Sequence, residues 1–86
     1  MHKRAAYELA VGLALRELHE EHHAMRERVA AALEVTELAV TRIETGEEKL
    51  SAGGLILLLN LFNLSWDAFL ERVRKHLPDA ESEILR

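Results

Sequence analysis

The densest cluster of chemically reactive side chains in the sequence is the run His19-Glu20-Glu21-His22-His23. It matches the pattern H-E-x-x-H, in which two histidines one helical turn apart bind zinc and the glutamate acts as a general base. A catalytic zinc site also needs a third protein ligand and a substrate cleft, for which a small helical chain offers no place. We therefore interpret the run as the end of a helix, where histidines interact favourably with the helix dipole, and we expect no structural metal and no cofactor. Adventitious metal binding by His19 and His23 is a better interpretation of this run than zinc catalysis.

The composition is that of one folded domain. The chain has 86 residues, of which 49% are hydrophobic and 30% charged, and it is too short for two independent cores. It contains no cysteine, which excludes disulfides and thiolate chemistry and favours a reducing compartment, so we expect a cytoplasmic protein. The longest apolar run, Leu55 to Leu59, is far below the roughly 20 residues that span a bilayer, so no membrane partner is expected. The net charge of -4 is not typical of nucleic-acid-binding domains.

The elements that must position any functional residue are predicted to be helices. Leucine and alanine dominate, there is one proline, and no segment shows a period-2 alternation of β-branched residues, so we predict an all-α fold. The pattern predicts five helices, at residues 4–22, 26–33, 37–44, 52–62 and 66–77, with Thr36, Ser51 and Ser65 as N-caps and Gly46 as a left-handed cap. Pro78 is predicted to end the last helix, so that residues 1–78 form the domain and residues 79–86 a fraying tail. Within that tail, Ile84 and Leu85 are candidates for a weak docking turn.

Helices two and three form a helix-turn-helix pattern, since about three residues join them and helix three ends in I-E-x-G. From Gly12 to about Leu70, about two thirds of the chain, the sequence resembles the lambda-repressor-like, or XRE-type, helix-turn-helix family without a gap. The most specific pieces are L-R-E-L in helix one, V-A-x-x-L in helix two, V-T in the turn and T-R-I-E-T-G at the end of helix three. The resemblance implies a five-helix lambda-repressor-like DNA-binding domain, here with an extended N-terminal helix.

The resemblance also implies sequence-specific binding to double-stranded DNA, with helix three in the major groove and two subunits on adjacent half-sites. Carried over residue by residue, the DNA-binding positions are Arg26, Thr36, Glu37, Leu38, Ala39, Thr41, Arg42 and Lys49. The three residues that begin helix three would face the bases and the others would contact phosphates, although Arg26 is equally readable as an ordinary surface residue. The family further implies that Arg16 and Glu44 pair across the core, with Glu20 as the alternative partner of Arg16.

The chain departs from the family pattern in its cap, its turn and its base-reading positions. Met25 replaces the usual serine cap of helix two, and Glu34 stands where the turn favours glycine. A left-handed glutamate costs about 1 kcal/mol or more, so either the turn geometry differs or packing offsets the strain. The bases would meet Glu, Leu and Ala instead of the amides and guanidiniums that usually read them. Residues 31–60, which include this region, hold two basic and five acidic side chains and are the most acidic third of the chain.

Helix four carries more leucine than its core face requires. Leu57 and Leu61 are surplus to the face that already holds Leu58 and Phe62. They need cover either from a spare apolar stripe of helix one, around Leu9, or from a second subunit. We favour a homodimer whose seam comprises Leu57, Leu61, Trp66, Phe69 and Val73. The alternative is that all of these residues thicken the core of a monomer.

Together these features predict a small dimeric transcriptional regulator of the XRE type that binds DNA and has no enzymatic activity. The alternative is a helix-turn-helix scaffold that has lost DNA recognition and acts by contact with another regulatory protein, through its acidic helix three or its leucine-rich face. The two hypotheses differ in an observable property, because binding to DNA phosphates depends steeply on salt concentration.

Overall fold

The computed structural model describes residues 3–85, which form five α-helices and no strand. The helices are α1 (Lys3–Glu21), α2 (Arg26–Leu33), α3 (Glu37–Glu44), α4 (Ala52–Leu61) and α5 (Trp66–Ile84). The predicted all-α class with five helices is confirmed. No single helix in this range has the length and hydropathy needed to cross a membrane. Taken together, α4 and α5 have the required length and hydropathy, but they meet at a bend of 106°.

Three of the helices begin at the predicted side-chain caps. In each, the cap oxygen accepts a hydrogen bond from the backbone N–H three residues later, at 3.0 Å for Thr36, 3.0 Å for Ser51 and 3.1 Å for Ser65. Met25, which precedes α2, makes no such bond. A cap of this kind stabilises a helix by about 1 kcal/mol, so α3, α4 and α5 have start points that their own sequences define.

The central helix of the fold is α1, which packs chiefly against α5 and α3, while α2 packs against α3 and α4. Gly12 permits the close approach of α1 to α3, because a Cβ at this position would overlap the backbone carbonyl of Ile43. The buried apolar residues form one core: Ala6, Leu9, Ala10, Ala14, Leu15, Leu18, Val29, Ala30, Leu33, Val40, Ile43, Leu58, Phe69, Val73 and Ala80. Helices α2 and α3 are thus held on one side of α1, with α3 positioned by backbone contact.

The last helix continues well beyond the residue predicted to end it. Pro78 lies inside α5, and the helix runs on to Ile84, so the predicted stop at this proline and the fraying tail after it are wrong. A proline inside a helix removes one backbone hydrogen bond and crowds the carbonyl four residues earlier. Here Ala80 is fully buried and Ile84 packs against the core, so the burial of these two side chains opposes that cost. Leu85 is 67% exposed and docks on nothing that the structure describes.

A partly exposed ionic network joins α1 to α5. Arg72 Nη1 lies 2.7 Å from Glu17 Oε1, Arg72 Nη2 lies 2.8 Å from Glu21 Oε1, and His76 Nε2 lies 3.1 Å from Glu17 Oε2. Burial raises the pKa of Glu17, but the hydrogen bond from Arg72 and the nearby positive charges outweigh it, so the pKa lies below its ordinary value. The hydrogen bond from Arg72 lowers the pKa of Glu21 as well. Both carboxylates are therefore held in their charged form.

The surplus leucines of α4 are partly covered within the single chain. Leu58 is fully buried, while Leu57 and Leu61 are half-buried against the core. Helix α1 packs chiefly against α5 and α3, and Leu9 lies beside Gly46 in the loop after α3. The most exposed apolar side chain of α4 is instead Ile56, at 61%, which the leucine pattern had not singled out.

Candidate nucleic-acid interface

The segment predicted to be a helix-turn-helix comprises α2, α3 and the three residues between them. Glu34 ends α2 in the left-handed conformation, with φ 59° and ψ 41°. The N–H of Val35 then donates to the carbonyl of Ala30 at 3.0 Å, which closes the end of α2. Glu34 therefore has the conformation that glycine adopts without strain, and for a glutamate this conformation costs about 1 kcal/mol.

Helix α3 has a buried side and an exposed side, and the predicted base-facing residues lie on or beside the exposed one. Val40, Ile43 and Glu44 are buried. Glu37 is exposed and Leu38 is 57% exposed, whereas Ala39 is half-buried and gives its N–H to the Thr36 cap. The start of α3 thus presents a carboxylate and an apolar side chain to any ligand that lies along it.

The predicted phosphate-binding residues differ in whether their polar groups already have partners within the protein. Arg42 is exposed and has no ion-pair partner within residues 3–85. Lys49 Nζ lies 4.0 Å from Glu8 Oε1, at the limit of an ion pair. The Thr41 hydroxyl donates to the carbonyl of Glu37 at 3.2 Å, so it would have to leave that bond to donate to a phosphate. Arg42 is therefore the residue of this set whose positive charge is most available to a phosphate.

Acidic side chains surround this helix. Glu34 and Glu37 are exposed at its N-terminal end, and Glu47 and Glu48 are exposed in the loop that follows it. Glu47 accepts a hydrogen bond from the Thr45 hydroxyl at 3.1 Å. Since phosphates are attracted by positive potential, this acidic charge pattern weakens any general attraction of the surface for DNA.

The inner side of α3 is anchored by a buried carboxylate. Glu44 is 5% exposed; Arg26 Nη2 donates to its Oε1 at 3.0 Å, and His19 Nδ1 lies 2.7 Å from its Oε2. The second contact has the distance of an ion pair but not the angles of a hydrogen bond, and neither atom has another partner in residues 3–85. The predicted pairing of Arg16 with Glu44 is wrong. Arg16 is exposed and lies 3.8 Å from Glu20, its predicted alternative, because it is one turn too early on α1.

His19 is the residue whose role the sequence interpretation missed. The H-E-x-x-H pattern drew attention to it as a metal ligand, yet no three metal-ligating side chains come together in the described range. Gly12 marks the side of α1 that faces α3, and His19 lies seven residues later, which is two turns along the same side. Once Gly12 is known to face α3, that spacing places His19 on the same side of α1, next to Glu44.

The predicted dimer residues divide between surface and core. Trp66 is 53% exposed at the start of α5, and Leu57 and Leu61 are half-buried. Phe69 and Val73 are only 1% and 3% exposed, so both belong to the core of the single chain and offer little surface to a partner. Their position follows from the register of α5, which turns these two side chains toward the core.

Comparison of the chain with models of known protein families, with curated proteins and with solved structures gives no significant match. A functional assignment therefore has to be argued from the residues and their geometry.

Proposed function

We propose that this protein is a small helix-turn-helix regulator of the lambda-repressor-like type, without enzymatic activity, that binds double-stranded DNA with α3 in the major groove. The observation that carries the proposal is the two-sided construction of α3. One side is fixed by Val40, Ile43 and Glu44, and the other is free along the whole helix. An exposed helix held rigidly on a crossing helix is the arrangement by which helix-turn-helix proteins read base edges.

The proposed contacts follow from position on the helix. The start of α3, Glu37 to Ala39, meets the bases, where a carboxylate accepts from a cytosine amino group and an apolar side chain contacts a thymine methyl. Arg42 and the exposed Thr36 meet phosphates on either side. Arg26 gives one donor to Glu44, but its side chain remains 42% exposed. Its other donors are therefore free to bind a phosphate of the DNA backbone near the start of α2.

The test is a binding measurement by fluorescence anisotropy, with labelled duplexes selected from a random pool, at two salt concentrations. Arg42→Ala should weaken binding to every duplex and reduce the slope of log affinity against log salt by about one unit. Arg74→Ala is the matched control, because this arginine is also exposed but lies on α5 beside Glu71. If no duplex is retained by the wild-type protein at low salt, the proposal fails.

A second candidate is favoured by the acidic surroundings of α3. In it the same exposed face, with Leu38 as its apolar centre and Glu34, Glu37, Glu47 and Glu48 around it, docks a basic surface of another regulatory protein. The substitution Glu37→Lys separates the two candidates. If it creates strong DNA binding where the wild-type protein shows none, the acidic helix excludes DNA and the protein-contact scaffold is the better account.

We also propose that the regulator is a homodimer, with the exposed Trp66 and the half-buried Leu57 and Leu61 at the seam. Sedimentation equilibrium at micromolar concentration should then give twice the chain mass. Trp66→Ser should shift the protein to monomer, whereas Tyr7→Ser, which removes an aromatic side chain of similar exposure from α1, should not. A wild-type monomer at high concentration would contradict this part of the proposal.

A further inference from the structure

A pocket of about 400 Å³ opens between the turn that joins α1 to α2 and the C-terminal end of α4. Its lining includes His22, His23, Met25, Arg28, Leu61 and Phe62. Its volume is in the range of pockets that hold small organic ligands. None of its residues belongs to the proposed DNA-binding or dimer surfaces except Leu61.

The polar lining of the pocket is basic. It comprises Arg28 and two histidines, and no carboxylate lines it within residues 3–85. The other arginines of the chain mostly have carboxylate partners within 4.0 Å: Arg4, Arg16, Arg26, Arg72 and Arg74. Arg28 has none in the described range. In a chain of net charge -4, an unpaired guanidinium over a cavity without acids is a site of local positive potential.

One wall of the pocket consists of two flat rings and an aliphatic side chain. The His22 ring is fixed by a hydrogen bond from its Nδ1 to the carbonyl of Leu18, at 2.9 Å. It lies against the Phe62 ring with centroids 4.9 Å apart and planes tilted by 47°, and Leu61 extends the same wall. Met25 is 69% exposed at the rim, and its flexible thioether can close over a planar ligand.

His23 stands in the pocket at a backbone position where it is strained. Its φ is 52°, in the left-handed region that glycine adopts without strain. Replacement by glycine should therefore remove the imidazole from the pocket and relieve strain at the same time. This makes it possible to separate a loss of binding from a loss of stability.

We propose that this pocket binds a small aromatic carboxylate, with its ring against His22 and Phe62 and its carboxylate on the guanidinium of Arg28. Planar guanidinium groups pair with carboxylates through two parallel hydrogen bonds, and aromatic faces accept a planar ring. His23 supplies a further polar contact at the edge of the pocket. The proposal is independent of DNA binding, since it uses neither α3 nor its exposed face.

The test is an NMR titration of ¹⁵N-labelled full-length protein with 2-naphthoate, and with the neutral analogue 2-naphthalenemethanol. We expect 2-naphthoate to shift the amide signals of His22, His23 and Arg28, and the neutral analogue to bind at least tenfold more weakly. Arg28→Gln should weaken 2-naphthoate binding by about tenfold, and Arg42→Gln, which changes an unpaired arginine outside the pocket, should leave it unchanged.

His23→Gly should weaken binding of 2-naphthoate while its melting temperature stays equal to or above that of the wild-type protein. Glu34→Gly is the matched control, since it relieves the same left-handed strain at the other end of α2 and should not affect binding. The proposal is overturned if 2-naphthoate causes no shifts at millimolar concentration or shifts signals away from the pocket. Equal binding of the neutral analogue, or unchanged affinity in either Arg28→Gln or His23→Gly, would overturn it as well.

Discussion

The two sides of α1 use charged residues in opposite ways. Toward α3, the helices approach at Gly12 and a buried carboxylate, Glu44, lies beside His19. Toward α5, Arg72 bridges Glu17 and Glu21 in contacts that remain open to water. The same kinds of charged group therefore lie in a dry contact on one side and a wet contact on the other.

This difference determines what each contact is worth. Exposed ion pairs contribute little, because water screens them and ordering long side chains opposes them. A buried carboxylate cannot interact with water instead of its partner, so the loss of that partner leaves its charge desolvated and unpaired. The side of α1 that faces α3 is thus the more sensitive one, and it is the side that positions the proposed recognition helix.

The largest effect is expected at the closest approach of α1 and α3. Gly12→Ala should destabilise the protein by about 3 kcal/mol, because the added Cβ would overlap the Ile43 carbonyl and the backbone has to move. Gly53→Ala is the matched control in α4, where nothing lies within 4 Å of the added atom, and it should be neutral or stabilise by about 0.5 kcal/mol. Urea unfolding measures both. Equal effects of the two substitutions would mean that α1 and α3 are not in close contact.

A smaller effect is expected when the buried carboxylate is neutralised. Glu44→Gln should cost about 2 kcal/mol, since His19 and Arg26 lose the charge that they face. Glu20→Gln, in the exposed pair with Arg16, should change stability by less than about 0.5 kcal/mol. The same unfolding assay compares them, and a cost for Glu20→Gln as large as that for Glu44→Gln would remove the distinction between the dry and the wet contact.

The smallest effect is expected on the α5 side, and it depends on pH. Because the folded protein lowers the pKa of Glu17 and Glu21, their contribution to stability is present above about pH 4.5 and is lost as the pH falls below it. Arg72→Gln should lower the melting temperature at pH 7, and its difference from the wild-type protein should shrink as the pH falls below about 4.5. Arg74→Gln, in an exposed pair on α5 alone, should keep the wild-type pH profile. Parallel curves for Arg72→Gln and the wild-type protein would contradict the assignment.

Much of the fold follows from local sequence. The caps at Thr36, Ser51 and Ser65 act within one turn, so the starts of three helices could be predicted from residue type alone. The end of α5 could not, because Pro78 disfavours helix locally while the burial of Ala80 depends on the packing of α5 against the core. Local preferences are decisive where no tertiary contact competes with them.

The candidate site shows the same division. The exposure of Glu37 and Leu38 follows from the periodicity of α3, whose buried residues are Val40 and Ile43. The partners of Glu44 depend on how α1 and α2 cross α3, so the contact with His19 required the helix arrangement as well as the pattern. A glutamate does not by itself indicate a left-handed conformation. At Glu34 the only indication was the resemblance to a family whose turn favours glycine at this position.

The most direct test of the account is a map of the amide shifts of ¹⁵N-labelled protein on titration with a selected DNA duplex at low salt. If α3 lies in the major groove, the shifts should concentrate from Thr36 to Arg42, extend to Lys49 and the start of α2, and leave the last turns of α5 unchanged. The absence of shifts at low salt, or shifts concentrated on α5, would contradict the claim that α3 is the recognition helix of this protein.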